Sequence, residues 1–160
     1  MRLMRKITLL ASIGMLAVAV ATPVAAAPTS CAGAGIVFPV STPEIHVADG
    51  TTFVEFDFAG EHPVCLADGT RVQATVSGHL WEKIHADGSG SLRFIETLSW
   101  GGGELDYSGN ATFNASAWKG HVRTVGNGTG PLTGINGQGT FSPIDPLTGT
   151  FTDEIFYVYR

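Results

Sequence analysis

Positive charge is scarce in this chain. Lys and Arg number nine in 160 residues, against fourteen Asp and Glu. Three of the nine, Arg2, Arg5 and Lys6, stand at the very start. Without that start, six basic residues face fourteen acidic ones, a net charge of −8. Such a surface has no electrostatic pull on phosphate backbones or anionic lipid, so neither nucleic acid nor a membrane surface is expected as a partner. Cysteine is nearly absent: only Cys31 and Cys65 occur. The five histidines, His46, His62, His79, His85 and His121, show no metal-ligand spacing, so no metal is expected. The full G-x-S-x-G elbow is missing too, which removes one route to a hydrolase.

Long hydrophobic runs are confined to one place. Ile7 to Val20 is apolar, follows the basic start, and leads to the small residues Val24 to Ala27. This is the pattern of a secretory signal peptide over residues 1–26, cleaved near Ala26 or Ala27. Thr22 and Pro23 interrupt the run too early for a stable membrane span. The remainder, 27–160, has the size of one domain, and no linker or second domain is evident. Export to an oxidising compartment makes a Cys31–Cys65 disulfide the default. It would tie the start of the exported chain to the loop before Asp68 and Gly69. The localisation expected is secreted.

Glycine is what the chain has in excess, 21 in all, and it clusters. Between Gly126 and Phe141 six of sixteen residues are glycine. A phosphate-cradling loop would need a helix after it. Here Thr140, Phe141, Pro143 and Pro146 follow, and neither dinucleotide nor P-loop spacing occurs in the stretch, so no cofactor is expected. The stretch reads instead as the bent part of a closed sheet. Gly128, Gly130, Gly134, Gly137 and Gly139 sit where the chain turns sharply or lies against a neighbouring strand.

The rest alternates with a period of two. Thr51 to Phe58 carries Val54, Phe56 and Phe58 on one face. Gly60 to Thr70 reads as a loop. Arg71 to His85 puts Val72, Ala74, Val76, Leu80 and Ile84 on one face, with His79 on the other. Asp87 to Gly90 is a turn, and Ser91 to Trp100 returns with Leu92, Phe94, Leu98 and Trp100 aligned. Shorter strands follow over Leu105–Tyr107, Asn110–Trp118 and His121–Val125, and Thr150–Tyr159 closes the chain. Pro28 to Pro43 reads as an arm with one short strand. Eight to ten short strands without a helix beyond the signal make the fold all-β, a small antiparallel barrel of about eight strands.

The segment from Gly128 to Phe141, with Asp145-Pro-Leu-Thr-Gly-Thr-Phe-Thr152 and the aromatic last strand, resembles the glycine-rich motif of bacterial proteins with allene oxide cyclase-like or dirigent-like barrels. The resemblance covers the last third of the chain. It implies an eight-stranded antiparallel barrel with an apolar cavity, trimeric in many members. Characterised members cyclise an epoxide or steer a radical coupling without a cofactor.

Two acidic residues break an apolar face. Glu82 lies between Leu80 and Ile84, and Glu96 between Phe94 and Leu98. A three-residue loop, Gly88-Ser89-Gly90, would set Glu82 directly opposite Glu96, with carboxylates about 5 Å apart on an apolar wall. Two such groups do not both ionise easily, which suits general acid–base chemistry. These are the catalytic candidates. The alternative is a pair of solvated residues at a barrel mouth. Three functional readings follow: a non-catalytic barrel holding a small apolar ligand or assembling as a homo-oligomer, a cofactor-independent cyclase or isomerase, and an interaction protein whose barrel is filled solid.

Overall fold

The computed structural model of this protein describes residues 29–145 and 147–159. The signal peptide expected over 1–26 lies outside the described residues. Nine strands follow in order: β1 (Thr29–Pro39), β2 (Glu44–Ala48), β3 (Thr51–Cys65), β4 (Arg71–His85), β5 (Gly90–Trp100), β6 (Gly103–Asn114), β7 (Ala117–Val125), β8 (Ile135–Phe141) and β9 (Thr150–Tyr159). One 3₁₀ turn, Gly130–Leu132, precedes β8. Each strand from β3 to β9 pairs antiparallel with the next, β9 pairs with β1, and β1 returns to β3 through Ile36–Pro39 and Phe58–Glu61. Eight strands thus close a barrel. β2 stands outside the closure, paired only with the first part of β3.

Alternation dictates which side chains enter. In β5 Leu92, Phe94, Glu96 and Leu98 are buried while their neighbours look outward. The lower half of the barrel is packed solid with Val64, Ala74, Leu98, Leu105, Ile135 and Tyr157, all within 1% of complete burial. Leu132, carried in by the 3₁₀ turn, is 0% exposed among them.

The glycine-rich stretch divides between that turn and β8. Gly134 has φ of 79°, in the left-handed region that only glycine enters freely. Gly137 is extended, but a Cβ there would stand 2.5 Å from Cδ1 of Tyr157. β8 is held to β7 by only two ladder positions, Val122↔Gly139 and Arg123↔Gln138. The Gly137 N–H donates to Oγ1 of Thr124 instead, at 2.9 Å.

Three features depart from the sequence expectation. Residues 60–65 are strand: β3 runs on to Cys65, because β1 on one side and β4 on the other supply its backbone partners. The N-terminal arm is a full barrel strand, β1, with eight partners on β9. Residues Asn110 to Trp118 do not form one strand but a hairpin, turned at Asn114–Ala117, where Asn114 Oδ1 accepts from the Ser116 N–H. The disulfide is present: Cys31 and Cys65 are joined with Cα atoms 5.9 Å apart, at the closed end of the barrel.

Candidate functional site

The upper half of the barrel is not filled. A cavity of about 430 Å³ opens there, with walls of Phe56, Phe58, Leu80, Leu92, Phe94 and Phe151. The Phe94 ring meets Phe58 and Phe141 edge-on, with centroids 6.4 and 5.3 Å away. Gly78 makes room for this wall, since a Cβ there would come within 2.5 Å of the Phe58 ring and 2.8 Å of Glu96 Cβ.

Three polar side chains from distant strands meet at the cavity floor: His62 from β3, Glu96 from β5 and Asp153 from β9. Their exposures are 2%, 7% and 6%. His62 Nε2 stands 2.8 Å from Asp153 Oδ2. This is an ion pair by distance, but not aligned as a hydrogen bond, and both Asp153 oxygens and His62 Nδ1 are sealed without a hydrogen-bond partner. The His62 ring stacks on Phe151 at 5.5 Å and lies 5.7 Å from Tyr107. Beneath the trio the hydroxyls of Tyr107 and Tyr157 bond to each other at 2.5 Å.

The charges are strongly coupled to burial. Loss of water pushes the Glu96 carboxyl up to about 7; nearby His62 opposes the shift and Asp153 adds to it. Burial works against the charged form of His62, but its interaction with Asp153 and the field of Glu96 outweigh it, and the pKa rises. Burial raises the Tyr107 hydroxyl well above its usual range, reinforced by Tyr157. Glu96 is therefore a carboxyl able to exchange a proton near neutrality inside an apolar chamber.

The expected Glu82–Glu96 pair is not formed. Both residues line the cavity, as their shared face requires. However, Glu82 stands opposite Leu92, and Glu96 stands opposite Gly78. The two are offset by four residues, about 13 Å along the strands. The hairpin loop is Ala86-Asp87-Gly88, not Gly88-Ser89-Gly90. The His85 N–H donates to the Ser89 carbonyl at 2.7 Å, Gly88 takes φ of 78°, and Asp87 Oδ1 accepts from the Ser89 N–H. Only the first of the two glycines is needed for a positive φ. Gly90 belongs to the strand, where the Phe113 ring fills the space a Cβ would occupy. Trp100, at the far end of β5, pairs with Gly103. Glu82 is half-buried nearer the mouth, and burial alone raises its pKa.

His62 and Asp153 did not stand out in the sequence, although the signal was there. Val54, Phe56 and Phe58 continue in period two to His62 and Val64, and Phe151, Asp153, Ile155 and Tyr157 alternate likewise. On the outer wall, His79 bridges Asp57 at 2.7 Å and Glu55 at 3.0 Å and lies 4.3 Å from the Trp81 ring. No group of three or more His, Cys, Asp or Glu among the described residues has metal-binding geometry.

No family model matches the chain. No curated protein matches it either. Among solved structures it is similar to a protein with unknown function from the DUF3224 family of Shewanella oneidensis MR-1. The TM-score is 0.61 at 20% sequence identity, over 82% of this chain and 98% of that one. At that identity the likeness is one of β-barrel fold.

Proposed function

We propose that this protein is a secreted barrel that binds a small, largely apolar molecule in its upper cavity. The observation that carries the reading is the unfilled chamber of about 430 Å³, walled by aromatic and aliphatic side chains and ending on a few convergent polar groups. Its size lies within the ~300–1,000 Å³ of small-molecule sites. The Cys31–Cys65 bond is compatible with an extracellular setting. The chamber weighs against a barrel filled solid. Binding of a neutral apolar fluorophore such as 1-aminoanthracene tests the reading. Saturable binding by the wild type, lost when Leu92→Trp fills the chamber, supports it; no binding by the wild type ends it.

A second reading, favoured by Glu96 specifically, is a cofactor-independent cyclase or isomerase of the kind that the allene oxide cyclase resemblance implies. Glu96 would move the proton, with His62 and Asp153 setting its charge from behind. Glu82, now separated from it, would serve at the mouth. Turnover of an epoxide by the wild type but not by Glu96→Gln is the outcome that favours catalysis over binding.

Self-association is proposed with it. Among the described residues β2 has one unpaired edge, and Ile45 and Val47 on it are 66% and 65% exposed. Native mass spectrometry of the exported chain reports subunit number and retained ligand together.

A further inference from the structure

Carboxyl groups stand at both ends of the cavity. Glu82 and Asp145 line its mouth, and Glu96 and Asp153 its floor. Among the described residues His62 is the one basic side chain lining it. That histidine is already committed: its Nε2 lies against Asp153, and its Nδ1 is buried out of reach of the cavity. It therefore cannot turn to meet an anion. Glu96 is the floor group left over. It is 7% exposed and no group among the described residues hydrogen-bonds it. A buried carboxyl without a partner leaves hydrogen-bonding capacity to be met by whatever fills the space.

From this we infer that the site selects the head group of its occupant: it takes an apolar chain or ring ending in an uncharged or cationic hydrogen-bond donor, set against Glu96, and turns away anionic amphiphiles. The inference rests on the ligand-binding reading above. A hydroxyl or amine donates to the Glu96 carboxyl, while the apolar body lies along Phe58, Phe94 and Phe151. A carboxylate or sulfonate would bring one more negative charge into a water-poor space already holding the carboxyls of Asp153 and Glu96, with no free cation among the described lining residues to meet it. Cost, not contact, makes the selection.

The groups facing Glu96 all act in one direction as pH rises. Glu96 itself ionises across neutrality, His62 from β3, whose pKa is raised by Asp153 and Glu96 against the effect of burial, can only lose positive charge, and Asp153 from β9 lies beside them. Tyr107 from β6 and Tyr157 from β9 keep their protons, since burial raises both. Glu82 from β4 adds charge nearer the mouth. Discrimination against anions should sharpen between pH 5.5 and pH 8.5.

Displacement of 1-aminoanthracene by decanol, decylamine and decane-1-sulfonate provides the test, since the three share one chain. For the wild type at pH 8.5, decanol and decylamine should displace the reporter at concentrations at least tenfold below the sulfonate. The gap should shrink at pH 5.5, and Glu96→Gln should reduce it to under threefold at either pH. Glu104→Gln, which removes a carboxylate on the outer face of β6 away from the cavity, should leave the gap in place. A sulfonate within threefold of decanol on the wild type at pH 8.5, or a gap indifferent to both pH and Glu96→Gln, overturns the inference. If Glu96→Gln does not fold, the pH series on the wild type decides alone. Reporter binding with no head-group preference removes the selectivity and spares the ligand-binding reading; no reporter binding removes both.

Discussion

Glu96 stores unfavourable free energy in the folded state. Its carboxyl ordinarily titrates near 4.5 and is pushed to about 7 here. The unfolded chain therefore releases this proton at lower pH than the folded one, and stability falls as pH rises from about 4.5 through 7. The loss amounts to about 3 kcal/mol at most by the linkage between pKa and free energy. His62 acts in the same sense: its raised pKa gives stability that is full below 6.5 and lost as pH passes the folded value. Glu96→Gln should thus unfold at higher denaturant than the wild type at pH 8 and nearly match it at pH 4.5. Equal midpoints at pH 8 would mean the folded carboxyl is not held up. Removing His62 has the opposite sign. His62→Ala strands Asp153 as a buried, unpaired charge and should cost about 3–5 kcal/mol in chemical denaturation at pH 6. The inward placing of Glu82 and Glu96 was legible from period-two alternation alone. His62 escaped because Pro63, Gly60 and Cys65 around it look like loop residues, and it takes the β1 and β4 ladders to make that segment a strand. Asp153 escaped because a carboxylate between Phe151 and Ile155 gives no sign of its partner ninety residues earlier.

Strand pairs show where local reading stops. Parity of the β4–β5 register followed from the two apolar faces, and it is right. The register itself was not legible, because Asp87-Gly88-Ser89-Gly90 offers two glycines and either could take the positive φ. In the fold Gly90 lies in the sheet, where the Lys83 carbonyl of β4 and the Phe113 ring of β6 fill the space a Cβ would take. Gly90→Ala should therefore disturb the sheet more than a turn substitution would, and Gly88→Ala should cost mainly left-handed strain, on the order of 1 kcal/mol. Equal effects of the two in thermal melts would contradict this division. The disulfide was legible from two cysteines and an export pattern. It joins β1 to the end of β3, so Cys31→Ser with Cys65→Ser should lower stability by about 2–4 kcal/mol. Titration of the unreduced, unfolded wild type should show no thiol.

At the scale of the molecule, the barrel is two chambers with different duties. The lower half is a packed core closed by Leu132, and the upper half is a cavity. Leu132→Ala should open a void in the part that holds the fold together, costing about 2–5 kcal/mol, while leaving reporter binding in the upper chamber intact. Loss of binding without loss of stability would reverse that assignment. The barrel was legible because glycine, short strands and the absence of helical periodicity all agree. The division into core and cavity was not, because it depends on side chains from six strands meeting at one level.

The two-rung contact between β7 and β8 sets a clock. β1 and β3 are stapled by a covalent bond, and the other neighbours around the barrel are joined by long ladders. Fluctuations will therefore part the wall first where Val122 and Arg123 face Gly139 and Gln138, with the Thr124 hydroxyl latching Gly137 at one end and the Trp118 indole N–H donating to the Phe141 carbonyl at the other. Deuterium should enter the Gly137 amide before those of β5 or β6. Thr124→Val, which loses one hydrogen bond of about 1 kcal/mol, should quicken that entry roughly fivefold. Melting averages over nine strands and does not see this seam. Exchange at the single amide does, and it measures how often the barrel stands open along its side.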